Sequence, residues 1–155
     1  MPANNDPIYT LTPNIGRVKI PTATAQVKSD GTSAGSGSDL VYKAFTAGAN
    51  GSYVDRVKFM ATGAAAAVSS VATTLRVYLS TVASPGATAA TDTWLIGECS
   101  IPTISAAVSH STNAVSPYEV PVGFAIPTGT YIHVSQHVAQ GTNMSWNAVV
   151  IGGDY

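Results

Sequence analysis

A single cysteine, Cys99, stands in this chain of 155 residues, so no intrachain disulfide can form and the fold does not depend on an oxidising compartment. Charge is scarce too. Asp, Glu, Lys and Arg supply 10% of the residues, against about 25% in an average soluble domain. Seven cations nearly cancel eight acids to leave a net charge of −1, so there is no basic footprint for nucleic acid or an anionic membrane. No apolar run approaches the ~20 residues needed to span a bilayer. The opening Met-Pro-Ala-Asn-Asn-Asp-Pro has neither a basic nor an apolar segment, so no secretory signal is expected there. Helical patterning is confined to an alanine- and serine-rich stretch at 63–72, and it is not amphipathic. What remains is a 45% apolar fraction, too high for a disordered chain, in a length that suits one domain burying roughly two-thirds of its unfolded surface.

The apolar residues that are present recur with period two between close-set Gly, Pro, Asn, Ser and Thr, which is how an antiparallel sandwich or barrel reads. About eight short strands are predicted. The first, at 15–20, sets Arg17 and Lys19 against Gly16, Val18 and Ile20 and stops at Pro21. A second at 39–45 leads into Asn50-Gly51, a pair suited to positive φ in a tight reversal, so a hairpin partner is expected at 53–61. There Val57, Phe59 and Ala61 face one way and Arg56, Lys58 and Met60 the other. The clearest strand is 73–81, with Leu75, Val77 and Leu79 inward against Thr74, Arg76, Tyr78 and Ser80. Further strands are expected at 93–101, where Trp94, Ile96 and Glu98 oppose Leu95, Gly97 and Cys99, and at 118–122, 131–138 and 146–151. Pro121 places the strand at 118–122 on an edge. Residues 28–38 read as an exposed loop. With no helices to make parallel crossovers, the expected fold is an all-β antiparallel sandwich, jelly-roll-like, of about eight strands. It comprises a single domain at 15–155 preceded by an extended N-terminal arm at 1–14.

Chemistry-bearing patterns are thin. His133 and His137 are four apart, but on a strand rising ~3.3 Å per residue they stand about 13 Å apart, too far to share one metal ion, and only His110 or a carboxylate from another strand could complete a site with either. They read as surface or interface histidines. Hydrolysis needs a nucleophile with its base or two carboxylates across a cleft. Asp30 and Asp39 bracket the flexible loop, which leaves Asp55, Glu98 and Glu119 on predicted strands, and no Gly-x-Ser-x-Gly elbow is present. Gly35-Ser-Gly-Ser lacks the Lys and the following helix of a phosphate loop. Cys99 sits in a strand beside Glu98, whose charge raises a thiol's pKa, and reads as a buried structural thiol. No catalytic, cofactor-binding or metal site is assigned, and the chain is not expected to be an enzyme. The aromatics Tyr42, Tyr53, Tyr78, Trp94, Tyr118, Tyr131 and Trp146 suit packing, with saccharide stacking as the alternative.

Four segments carry a resemblance: Ile8-Tyr-Thr-Leu-Thr-Pro-Asn-Ile-Gly, Phe45-Thr-Ala-Gly-Ala-Asn-Gly-Ser-Tyr-Val-Asp-Arg-Val-Lys-Phe-Met-Ala-Thr-Gly, Ile126-Pro-Thr-Gly-Thr-Tyr-Ile-His-Val-Ser and Val150-Ile-Gly-Gly-Asp-Tyr. Together they resemble small virion structural proteins of tailed bacteriophages and prophages. That resemblance implies a head-decoration (cement) jelly roll on the capsid surface, made in the host cytoplasm, with the major capsid protein as partner, a homotrimeric state and no cofactor. The alternative is a receptor- or glycan-binding module on the tail or capsid surface. The prolines of the arm lower the cost of ordering it on a partner, so Pro2, Pro7, Ile8, Tyr9, Leu11 and Pro13 are the candidate partner-binding residues. Nucleic acid and membrane are not expected as partners.

Overall fold

Alternation is realised in eight strands and no helix among the residues described by the computed structural model, 10–21, 41–63, 69–83, 92–104 and 117–155. The strands are β1 (Thr12–Ile20), β2 (Tyr42–Thr46), β3 (Ser52–Gly63), β4 (Thr73–Ser80), β5 (Thr93–Ile101), β6 (Tyr118–Ile126), β7 (Tyr131–Gln136) and β8 (Met144–Asp154). They form two four-stranded antiparallel sheets in the orders β1-β8-β3-β6 and β2-β7-β4-β5. The pairs β1/β8, β2/β7, β3/β6 and β4/β5 are those of one long antiparallel ribbon rolled on itself, the jelly-roll arrangement.

Each sheet turns its alternate residues inward. Val57 and Phe59 of β3, Trp146, Ala148 and Val150 of β8, Leu75 and Val77 of β4, and Ile132 and Val134 of β7 are fully buried in one core. Each Val, Leu, Ile or Phe so removed from water contributes about 1.5–3 kcal/mol. Trp146 packs edge-on against Tyr118 at 6.0 Å between ring centres. The sheets close on each other at two glycines. A Cβ on Gly16 of β1 would run into the Ala44 carbonyl of β2, and one on Gly97 of β5 would meet the Val120 side chain of β6. Pro121 does lie on an edge strand, β6.

Three expectations change. The hairpin across Asn50-Gly51 does not exist, because β2 and β3 belong to different sheets. The turn, closed by Gly51 N–H donating to the Gly48 carbonyl at 3.1 Å with Gly51 at φ 89°, carries the chain from one sheet to the other. Tight-turn chemistry reports a reversal of direction, and a reversal serves a crossover as well as a hairpin. The alternation in β5 is also broken, since Val77 pairs with Gly97 but Tyr78 with Leu95, a bulge that leaves Ile96 over. The third concerns strand bounds: β1 starts at Thr12 rather than near Ile15, β6 runs on to Ile126 rather than stopping at 122, and β7 ends at Gln136 rather than 138. The loop expected at 28–38 and half of the alanine-rich stretch, 64–68, lie outside the described residues.

Candidate interaction surfaces

One end of the sandwich gathers the first described residues around Asp154. Leu11 N–H donates to the Asp154 carbonyl at 2.7 Å. The Asp154 carboxylate then accepts from the Asn14 side-chain amide at 2.8 Å and from the Ser52 hydroxyl, whose oxygen in turn accepts from the Gly48 backbone N–H at 2.9 Å beside the carboxylate. These donors, Ser52 first, hold the Asp154 carboxyl below its ordinary value. Asn14 also donates to the Thr46 carbonyl, Tyr155 N–H to the Gly51 carbonyl and Asn50 to the Tyr155 carbonyl. The carboxylate therefore ties β1, the β2–β3 turn, β3 and β8 into one knot. Of the candidate partner-binding residues, Pro13 lies in β1 opposite Gly153 and Leu11 is 80% exposed just before it. Pro2, Pro7, Ile8 and Tyr9 lie outside the described residues. Sequence reasoning passed over Asp154 because it stands next to the last residue. The glycine that lets backbone close in on its carboxylate is Gly48, where a Cβ would run into the carboxyl group.

The outward face of β1-β8-β3-β6 is exposed. The register sets three rows across it: Ile15, Ile151, Arg56 and Pro121; Arg17, Val149, Lys58 and Glu119; then Lys19, Asn147 and Met60. Arg56 bridges Asp55 at 2.7 Å and Glu119 at 3.1 Å, and Lys58 reaches Glu119 at 3.5 Å. Hydrogen bonding to Arg56 holds the Glu119 carboxyl below its ordinary value, the wrong direction for a general acid. Asp55 and Glu119 are thus joined through a guanidinium on an open face, and Glu98 belongs to the other sheet, 3.3 Å from Arg76.

On the outward face of β2-β7-β4-β5 the central residues of β4 and β7 are polar yet buried. His133, Ser135 and Ser80 have no exposure, Tyr78 none, and Arg76 and Thr93 little. Ser135 donates to the Tyr78 hydroxyl at 3.4 Å, Ser80 shares a hydrogen with Thr93 at 3.0 Å, and Arg76 lies 3.4 Å from His137 Nδ1. Neither ring nitrogen of His133 has a hydrogen-bond partner, and burial together with Lys43 pushes its pKa down to about 4. His133 is therefore an interior, neutral residue and not the surface or interface histidine expected. Polar alternation identified its face correctly, but the period says nothing about whether that face is covered. Among the described residues no three His, Cys, Asp or Glu side chains gather as metal ligands, and His110 lies outside them. Cys99 packs against the core, where burial and Glu98 push its thiol up to about 11. Of the exposed aromatics, Tyr53 on β3 and Phe124 on β6 stand on paired strands, and Trp94 on β5 belongs to the other sheet.

No family model matches this chain, and no curated protein matches it. Among solved structures it is similar to a chain of the cyanophage Pam1 capsid asymmetric unit, at 13% identity and a TM-score of 0.40 over 100% of both chains. A likeness of that depth decides neither the fold nor the function, which stand on the strands and residues described above.

Proposed function

We propose that this protein is a non-catalytic structural component of a phage virion, a decoration protein that sits on the capsid surface and reinforces the head by binding the major capsid protein through its N-terminal arm. The observation that carries this reading is the convergence of all four resemblance-bearing segments at one end of the sandwich. Leu11 and Asn14 come from the first segment and meet Asp154 of the last. Ala47 of the second donates its N–H to the carbonyl of Thr130 in the third at 3.0 Å, and Gly51 accepts from Tyr155. Segments scattered along a chain resemble those of a family for a common reason when they build one structure, and here that structure is the anchor from which the arm departs. A tether needs a fixed root, and the Asp154 knot supplies one while leaving Leu11 in solvent.

On this reading the protein is made in the host cytoplasm and assembles as a trimer, the arms and adjoining loops lying on capsid subunits. Heads and tails separated from purified virions and analysed by mass spectrometry test it. The protein is expected with heads at a fixed high copy number, and chain lacking residues 1–9 is expected to stay folded but detach. Presence in lysate and absence from virions overturns the reading, and recovery with tails relocates it. Light scattering of the isolated protein tests the trimer.

A further inference from the structure

Strand cations in this protein have partners, with two exceptions. Arg56 and Lys58 pair with Glu119 across β3/β6, Arg76 with Glu98 across β4/β5, and Lys43 lies 5.5 Å above the Tyr131 ring. Arg17 and Lys19 have no such partner among the described residues, and their cross-strand neighbours on β8, Val149 and Asn147, are neutral. Both side chains point to the same outward face, two residues or about 7 Å apart. β1 is also the end strand of its sheet, so one side of its backbone ladder is open among the described residues. Beside that open edge runs a groove of about 320 Å³ between β1 and β2, lined by Asn14, Ile15, Gly16 and Arg17 on one side and the β2 backbone with Lys43 on the other.

From these features we infer that the free edge of β1 is a strand-addition site for an extended segment of a different protein carrying carboxylates at alternate positions. The added strand extends the β1-β8-β3-β6 sheet by one. Its outward acids stand beside Arg17 and Lys19, as Glu119 stands beside Lys58, and its next outward residue is apolar to lie against Ile15, which is 63% exposed. Its inward residues enter the groove. A second copy of this chain cannot supply the match, because no two of its acids stand two residues apart. The same two cations repel a basic strand, which disfavours pairing of the bare edge with a second copy of itself. Nucleic acid fits less well: Glu119 and Asp55 share the face, and Ile15, Val149 and Ile151 offer nothing to phosphates. The inference does not rest on the capsid reading, and its test is independent of it.

The test titrates isotope-labelled full-length protein with the peptide Thr-Glu-Thr-Glu-Thr-Val-Thr, its Gln counterpart, its Lys counterpart and a short DNA duplex, following backbone amides by NMR. The Glu peptide is expected to shift the amides of β1 and to bind roughly fivefold tighter than the Gln peptide, two cross-strand ion pairs being gained. The double substitution Arg17→Glu with Lys19→Glu is expected to invert the preference toward the Lys peptide while amides elsewhere stay in place. Arg17→Gln with Lys19→Gln, a milder pair that removes charge without reversing it, is expected to abolish the difference between Glu and Gln peptides. No binding of the Glu peptide at millimolar concentration, equal binding of Glu and Gln peptides, shifts on another strand, or tighter binding of DNA at β1 would each overturn the inference.

Discussion

Asn14 and Asp154, 140 positions apart in the chain, are joined by a 2.8 Å hydrogen bond from the Asn14 amide to the Asp154 carboxylate. The same oxygen accepts from Ser52, so one carboxylate fastens the first, third and last strands. Substituting Asp154→Ala leaves the Asn14 and Ser52 donors to find water, and a hydrogen bond to a charged group is worth about 1.5–3 kcal/mol. A loss of about 2 kcal/mol in urea unfolding is expected. Because the folded pKa lies below the ordinary value of 3.8, the contribution is present above pH 3.8 and is lost as pH falls through the folded value. Asp154→Asn should lack that part of the acid unfolding profile. An unchanged midpoint in either variant would show that the knot is not a structural anchor.

His133 gives a second and separate pH window. Its pKa is about 4 in the folded protein against an ordinary 6.5, so above pH 6.5 it is neutral whether the chain is folded or not. Between pH 6.5 and 4 the unfolded chain takes up a proton that the folded chain does not. Stability therefore falls as pH falls across that range, by up to about 1.4 kcal/mol per pH unit, and the effect levels off below pH 4. His133→Leu removes a buried polar ring with no hydrogen-bond partner and should flatten this range without loss of stability at pH 7.5. Urea titrations at pH 7.5, 5.5 and 4.5 on both proteins decide it, and equal slopes would count against a buried neutral histidine.

The strands were legible because alternation in Leu75, Val77 and Leu79, in Val57, Phe59 and Ala61, and in Ile132 and Val134 is a direct image of one face packing on a core. Pro121 was legible as an edge because proline lacks a ladder donor. Three kinds of feature were not. A bulge such as that at Ile96 adds one residue without any distinctive side chain, so the faces of β5 could not be carried through it. Coverage of an outward face depends on what lies over it, and polar residues such as Tyr78 and Ser135 suit both water and a covered hydrogen-bonding layer. The Asp154 knot and the unmatched pair Arg17 and Lys19 depend on which strands become neighbours, information that resides in topology and not in any local spacing.

The Cys99 thiol should be inert in the native protein. With its pKa raised to about 11 by burial and by Glu98, thiolate is about a thousandth of the thiol population at pH 8. Reaction with an aromatic disulfide reagent at pH 8 is expected to be at least a hundredfold slower than in urea, where the ordinary value returns. A native rate within tenfold of the unfolded rate would show that partial burial and Glu98 do not suppress the thiolate.

Gly97 and Val120 offer a test of how the sheets close at the β5/β6 edge. A Cβ at Gly97 meets the Val120 γ-methyl, so Gly97→Ala forces one strand away from the other, at about 1–3 kcal/mol for an overpacked contact. Val120→Ala alone costs about 1–2 kcal/mol through lost burial and a cavity. Combined, the methyl introduced at position 97 occupies the space that the valine methyl vacates, so the double variant should be more stable than the sum of the single changes predicts, by at least about 1 kcal/mol. At Gly16 the obstacle is the Ala44 backbone carbonyl, which cannot be trimmed. Gly16→Ala should therefore cost as much or more, and no side-chain change on β2 should restore it. Additive single and double variants at Gly97 and Val120 would mean that the two strands do not approach each other there.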